Sequence, residues 1–205
     1  MISDRIKINL GLDTLNNQVN LFIQKYSINP SQLISIFNQI FTNEKLPTYN
    51  FKQNFDLISS IGGIVLNEKF FERVFQMGHY FKEQYVYILE DNEDLSLDDR
   101  YCFMFPISMT WADLNSGDVL SFELFNRPVG NYFIFGDSAN WGNYLANDYF
   151  NEDINFAGTP ISIMGFDPHY SDLFKSLFPK PDQKEMRLLN KWLPNEYMDR
   201  WIYRN

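Results

Sequence analysis

The chain is arranged around the run Asn131 to Asp148, NYFIFGDSANWGNYLAND. Two apolar, aromatic-rich segments flank a turn of Gly, Asp, Ser and Asn. Tyr132, Ile134 and Gly136 alternate with Phe133 and Phe135 on the first side. Trp141, Asn143, Leu145 and Asn147 alternate with Gly142, Tyr144, Ala146 and Asp148 on the second. A period of two means extended chain with side chains on opposite faces. Two such runs around a turn cluster predict a β-hairpin with a loop of about five or six residues. Gly136 and Gly142 bracket the turn and suit backbone angles that a side chain would forbid.

The segments before it change character at Tyr80. Leu12, Leu15, Val19, Phe22, Ile23 and Tyr26 recur at helical spacing, which predicts a helix over 12–28. Asn29-Pro30 reads as a cap with proline in the first turn, ahead of a second helix through Leu33, Ile34, Phe37, Ile40 and Phe41. Leu46-Pro47 breaks it. Phe51, Phe55 and Ile58 predict a third helix over 49–61, ended by Gly62-Gly63. A fourth starts at Asn67 and closes at Gly78. From Tyr80 onward the chain is aromatic and β-branched, and strands are predicted at YFKEQYVYILE, at 101–109, at 118–125 and at 161–166. Arg127-Pro128-Val129-Gly130 is turn chemistry. Short connections favour antiparallel pairing.

Asp167-Pro168 then starts a helix through Tyr170, Leu173, Phe174 and Leu177, stopped by Pro179. Asp182 and Glu185 form a variant capping box for another. Residues 180–205 carry six Lys or Arg against four Asp or Glu, and Trp192, Tyr197, Trp201 and Tyr203 make this tail aromatic enough to dock on the body. The expectation is a single α+β domain over 1–205. A largely antiparallel or mixed sheet (about 80–166) is surrounded by helices from the N-terminal third (1–79) and the C-terminus (167–205).

Composition narrows function more by exclusion than by assignment. Apolar residues make up 45% of the chain and aromatics 18%, enough for a packed core. A formal charge of −9 repels phosphate backbones, so nucleic acid is not an expected partner, whereas a basic protein is. No stretch approaches the roughly 20 apolar residues of a membrane span, and the N-terminus lacks a signal-peptide core, so a cytoplasmic protein is expected. The single cysteine, Cys102, sits in the apolar run YCFMFPISM and reads as a small buried hydrophobe.

Few residues of the chain form a recognisable chemical motif. The histidines are His79 and His169, far apart in sequence and unsuited to a zinc site with one cysteine. No phosphate loop and no Gly-x-Ser-x-Gly elbow is present. Asp137-Ser138 has no histidine nearby in sequence. Glu90, Asp91, Glu93, Asp94, Asp98 and Asp99 form an acidic loop without EF-hand spacing, and whether it takes a cation is left open by the residues. It reads as a solvated loop or as a docking surface for a basic partner, the latter supported by Leu95 and Leu97 among the acids. No catalytic residue, metal or cofactor is expected.

The string Phe133-Ile134-Phe135-Gly136-Asp137-Ser138, followed by Trp141-Gly142-Asn143-Tyr144-Leu145 and Asp148, resembles the SUKH superfamily. In that family a hydrophobic strand reaches a Gly/Ser/Asp turn, then a Gly, aromatics and an Asp. Leu46-Pro47 followed by Phe51, Phe55, Leu57 and Gly62-Gly63 is similar to the family's early Leu-Pro, helix and glycine segment. Tyr170 to Leu177 is similar to its closing helix. The first forty-five residues and the Trp-rich tail fall outside the resemblance, and Ala139-Asn140-Trp141 replaces part of the family's glycine run. The resemblance implies an α+β fold. It also implies a bacterial immunity protein that binds and neutralises a cognate toxin, often a nuclease.

The resulting expectation is a non-enzymatic protein-binding module that neutralises a basic toxin domain. Its contacts are expected at Glu90, Asp91, Glu93, Asp94, Asp98 and Asp99 and at exposed aromatics near Trp111, Trp141 and Tyr144. Two alternatives stand beside it: a hydrolase whose Asp and Glu side chains converge in the fold, and a regulatory module that binds a cellular protein without inhibiting it.

Overall fold

The computed structural model describes residues 16–42, 50–61, 68–92, 94–115, 131–146, 161–178, 180–193 and 195–203. Within them the chain builds an α+β fold around a six-stranded sheet. The strands are β1 (Asp56–Ile61), β2 (Tyr85–Asp91), β3 (Cys102–Pro106), β4 (Asn131–Gly136), β5 (Trp141–Ala146) and β6 (Ile161–Phe166). Their order is β1-β6-β5-β4-β2-β3, and every neighbouring pair is antiparallel. The helices are α1 (Asn16–Tyr26), α2 (Ile34–Ile40), α3 (Glu68–Phe81), α4 (Trp111–Asn115), α5 (Ser171–Leu177), α6 (Gln183–Trp192) and α7 (Asn195–Asp199). No described helix is long and apolar enough to cross a membrane.

The predicted hairpin is the sheet's centre. Phe135 pairs with Gly142 and Tyr132 with Leu145. The strands run through Gly136 and resume at Trp141, so the loop is Asp137 to Asn140, shorter than the alternation suggested. All of β5 is buried, polar Asn143 included. Helices on both faces of the sheet explain this, because a strand covered twice has no solvent side to keep polar. On one face α2 lays Phe37 and Phe41 on Phe133, with ring centroids 4.9 and 4.8 Å away. On the other, Phe174 of α5 stacks on Phe166 at 3.7 Å, and Phe22 of α1 tilts against Phe103 and Phe105. Asn143, in the middle of the sheet, is satisfied by a reciprocal bond with Ser162 (2.8 Å).

Three of the N-caps read from the sequence are in place. Asn29 accepts the Ser31 amide, Asp167 the His169 amide and Asp182 the Glu185 amide. Two readings are corrected. Residues 51–55 are not helical and 56–61 form β1, whose register against β6 runs from Asp56↔Phe166 to Ile61↔Ile161. The helical spacing of Phe51, Phe55 and Ile58 is real, and all three are buried, but pairing with β6 decides the conformation. The fourth predicted helix, α3, does not stop at Gly78; it runs to Phe81, and the strand after it begins at Tyr85. Gly78 is a packing glycine, since a Cβ there would lie 2.4 Å from Ile107 Cδ1. The segments 118–125, 127–130, Leu46-Pro47, Gly62-Gly63, Asn67 and Pro179 lie outside the described residues.

The aromatic tail docks as expected and seals one sheet edge. The Leu57 amide of β1 donates to the Arg200 carbonyl (2.9 Å), and the Ile202 amide donates to the Leu57 carbonyl (3.0 Å). The Arg200 guanidinium donates to the carbonyls of Phe55 (2.9 Å), Phe51 (3.4 Å) and Lys52. Trp201 and Tyr197 are buried beneath. At the opposite edge the Ile28 amide donates to the Cys102 carbonyl (3.0 Å), and Pro106 of β3 has no amide to offer. Both devices blunt an edge against strand addition. The Tyr197 hydroxyl accepts the buried Asn50 amide at 2.9 Å. Tyr197→Phe should therefore leave that amide without its acceptor and lower stability by about 1–3 kcal/mol. Urea denaturation checks this; an unchanged midpoint would show that the Tyr197 hydroxyl bond does not help to hold the 50–55 segment.

Candidate functional site

The hairpin tip and the corner between α3 and β2 hold each other through two carboxylates. The corner is made by Lys82, whose φ of 58° is left-handed. There the Lys82 amide donates to the His79 carbonyl (3.1 Å) and the Glu83 amide to the Gly78 carbonyl (2.9 Å). This is the paired C-terminal bonding that usually recruits glycine. It turns the chain so that the Glu83 side chain passes under the hairpin. Glu83 accepts from the Ser138 amide (2.8 Å), the Ser138 hydroxyl (2.5 Å) and the Trp141 indole N–H (3.0 Å). Asp137 reaches back, accepting from the amides of Gln84 and Tyr85 (both 2.8 Å) and from the Tyr87 hydroxyl (2.5 Å). Each arm thus supplies the acceptor for the other's donors.

Glycine at 136 is required here for proximity rather than for its backbone angle. A Cβ on Gly136 would lie 2.4 Å from the Glu83 carboxyl, and the turn's left-handed residue is Ala139 (φ 56°). The sequence reading of Gly136 and Gly142 as conformational glycines is corrected accordingly. Burial holds the Glu83 carboxyl above its ordinary range, the bonds from Ser138 and Trp141 oppose this, and the Asp137 charge adds to it. Burial, and then the bond to Asp137, push the Tyr87 hydroxyl upward. Burial alone pushes the Cys102 thiol up to about 12, which makes it a poor nucleophile at neutral pH.

The acidic loop lies at the other end of the β2–β3 hairpin. Glu90 is buried and accepts from the Tyr101 amide (3.1 Å) and the Asn92 side chain (3.3 Å). Asp91 accepts from the Tyr144 hydroxyl (2.7 Å), with Arg100 3.9 Å away. Asp94, Asp98 and Asp99 are exposed. Asp99 accepts from Ser96 (2.6 Å), Asp98 from Ser31 next to α2, and the Asp94 amide donates to Asn92 (3.2 Å). Glu93 lies outside the described residues. No group of three or more described His, Cys, Asp or Glu residues is placed to hold a metal ion.

The expected contact residues therefore separate. Trp141 and Tyr144 are not exposed aromatics; both are buried, because β5 is covered on both faces. Trp111 is half-buried with its ring 5.6 Å from Phe71. It follows the far end of β3, about 17 Å of strand from the acidic loop. Glu90 and Asp91 face inward as brackets for the loop. Asp94, Asp98 and Asp99 remain as the exposed charges of the loop. Glu83 was not singled out by the sequence, since a lone Glu inside a strand-like run carries no signal for a partner 55 residues away.

No protein-family model, curated protein or solved structure matches the chain.

Proposed function

We propose that this is a non-enzymatic binding protein of the SUKH type, an immunity protein that neutralises a basic toxin domain at its acidic pole. The observation that carries the reading is the preorganised loop. Asp94, Asp98 and Asp99 face solvent on a segment pinned by Ser31, Asn92, Ser96 and, through Asp91, by Tyr144. A fixed anionic surface loses little freedom on docking and steers a cationic partner in solution. The sealed sheet edges favour a loop-mediated contact over strand addition. The net charge of −9 and the hairpin motif support the same reading.

The test is co-purification with the basic product of the neighbouring gene and rescue of cells expressing it. The triple variant Asp94→Lys, Asp98→Lys, Asp99→Lys leaves the bracketing Glu90 and Asp91 intact. It should slow association about tenfold or more at low salt and flatten the salt dependence. Equal association rates for variant and wild type would remove the acidic pole from the interface.

A second reading is favoured by one observation. Glu83, with its raised carboxyl pKa, lies in one cluster with Asp137 and Ser138, the arrangement expected of acids converging for hydrolysis. A hydrolase would lose turnover in Glu83→Gln and Asp137→Asn at unchanged melting temperature. Loss of stability without any turnover in the wild type would exclude it.

A further inference from the structure

We propose that the Glu83–Asp137 clasp is a proton-operated latch, in which one proton taken up by Glu83 reverses the Ser138 hydroxyl and tightens the hairpin tip on the α3–β2 corner. The geometry has a place for that proton. The Ser138 amide on Glu83 Oε2 can only donate, so it offers no acceptor for a proton placed there. Oε1 accepts the Trp141 indole N–H and the Ser138 hydroxyl, and a hydroxyl can turn round. With the proton on Oε1, Glu83 donates to Ser138 Oγ. That oxygen also receives the Asn140 amide (3.3 Å), and its own hydrogen swings out to solvent from a half-buried residue. The other bonds of the clasp keep their direction.

The charges around the site set the direction of the switch. Glu83 is only 5% exposed, and none of its three donors is a cation. Asp137 faces it from the hairpin. From β2 come Tyr85 and Tyr87, the latter bonded to Asp137. Lys82, one residue back at the end of α3, is exposed. The folded protein therefore holds the proton more tightly than the unfolded chain does. Below the ordinary glutamate value both states are protonated and Glu83 makes no difference. As pH rises from there through the folded value the folded state loses stability, and above it the penalty of a buried charge beside Asp137 is complete. Protonation of Glu83 tightens the latch and its ionisation loosens it. The tip lies at the end of β2 remote from the acidic loop, so the latch does not depend on the partner reading.

The test is an NMR titration of the full chain from about pH 4 to about pH 8. It follows the Trp141 indole N–H and the Ser138 amide. Both should move through one common midpoint above the ordinary glutamate value of about 4.3. Glu83→Gln should abolish the step, and Asp137→Asn should lower its midpoint by removing the like charge. A midpoint at or below the ordinary value, or a step that persists in Glu83→Gln, overturns the proposal. If Glu83→Gln does not fold, the wild-type midpoint and its displacement in Asp137→Asn decide.

Discussion

Replacing Gly165 with valine should destabilise the protein by about 3 kcal/mol, at the upper end of what overpacking a core usually costs. Gly165 on β6 and Gly142 on β5 are direct partners across the sheet. Together they leave a dent in the face that α2 covers. Phe51 fills it over Gly165, where a Cβ would lie 2.3 Å from the ring; Phe41 fills it over Gly142, with the ring 2.6 Å from such a Cβ and Ile40 at 2.8 Å. Both rings are fully buried, 5.0 Å apart, and their backbones form a bridge. Neither ring can swing away, because Phe41 also packs on Phe133 and Phe135. For a domain of this size the expected drop in melting temperature is about 6–12 °C. Phe51→Leu should relieve part of the strain, so Gly165→Ala with Phe51→Leu should cost less than the sum of the two alone. Urea denaturation of the four proteins measures this; strict additivity would mean that the ring and the glycine do not share the dent.

That dent shows where the sequence was readable. Strands β4 and β5 were legible because two short, aromatic-rich apolar runs flank a cluster of turn residues, although burial on both faces leaves no polar alternation along them. The reason for the glycines was not, since it resides in Phe41 and Phe51, which approach from a distant part of the chain. Residues 49–61 misled for a related cause. Phe51, Phe55 and Ile58 have helical spacing, yet they meet the core from a turn and a strand whose pairing partner is more than one hundred residues away. The N-caps at Asn29, Asp167 and Asp182 were legible because a cap bonds only two or three residues ahead. The tail's docking could be anticipated from its aromatics, though not that Arg200 would clamp three carbonyls. Of the candidate site, the acidic loop was legible as composition. Its division into inward brackets and outward charges depends on Tyr144, Tyr101 and Ser31, which lie elsewhere in the sequence.

Glu83→Ala should be the most damaging single change at the hairpin tip, costing about 3–5 kcal/mol. It leaves the Ser138 amide and the Trp141 indole N–H without an acceptor. The buried indole N–H costs about 1–3 kcal/mol as an orphan, the half-buried Ser138 amide costs less, and the vacated volume adds to both. Asp137→Ala should cost less, about 2 kcal/mol, since the Gln84 amide it releases is exposed and water replaces the carboxylate there. The two changes should not be additive. Once either arm of the clasp is gone the tip is already loose, and the second loss has less left to disrupt. The double variant should therefore fall short of the sum by about 1 kcal/mol or more. The same proteins separate structure from function. If the clasp is architectural, both variants lose stability yet associate with a basic partner at the wild-type rate, because Asp94, Asp98 and Asp99 occupy the opposite end of β2. If Glu83→Ala kept wild-type stability, the clasp would not be holding the hairpin, and the convergence of Glu83, Asp137 and Ser138 would weigh toward the catalytic reading instead.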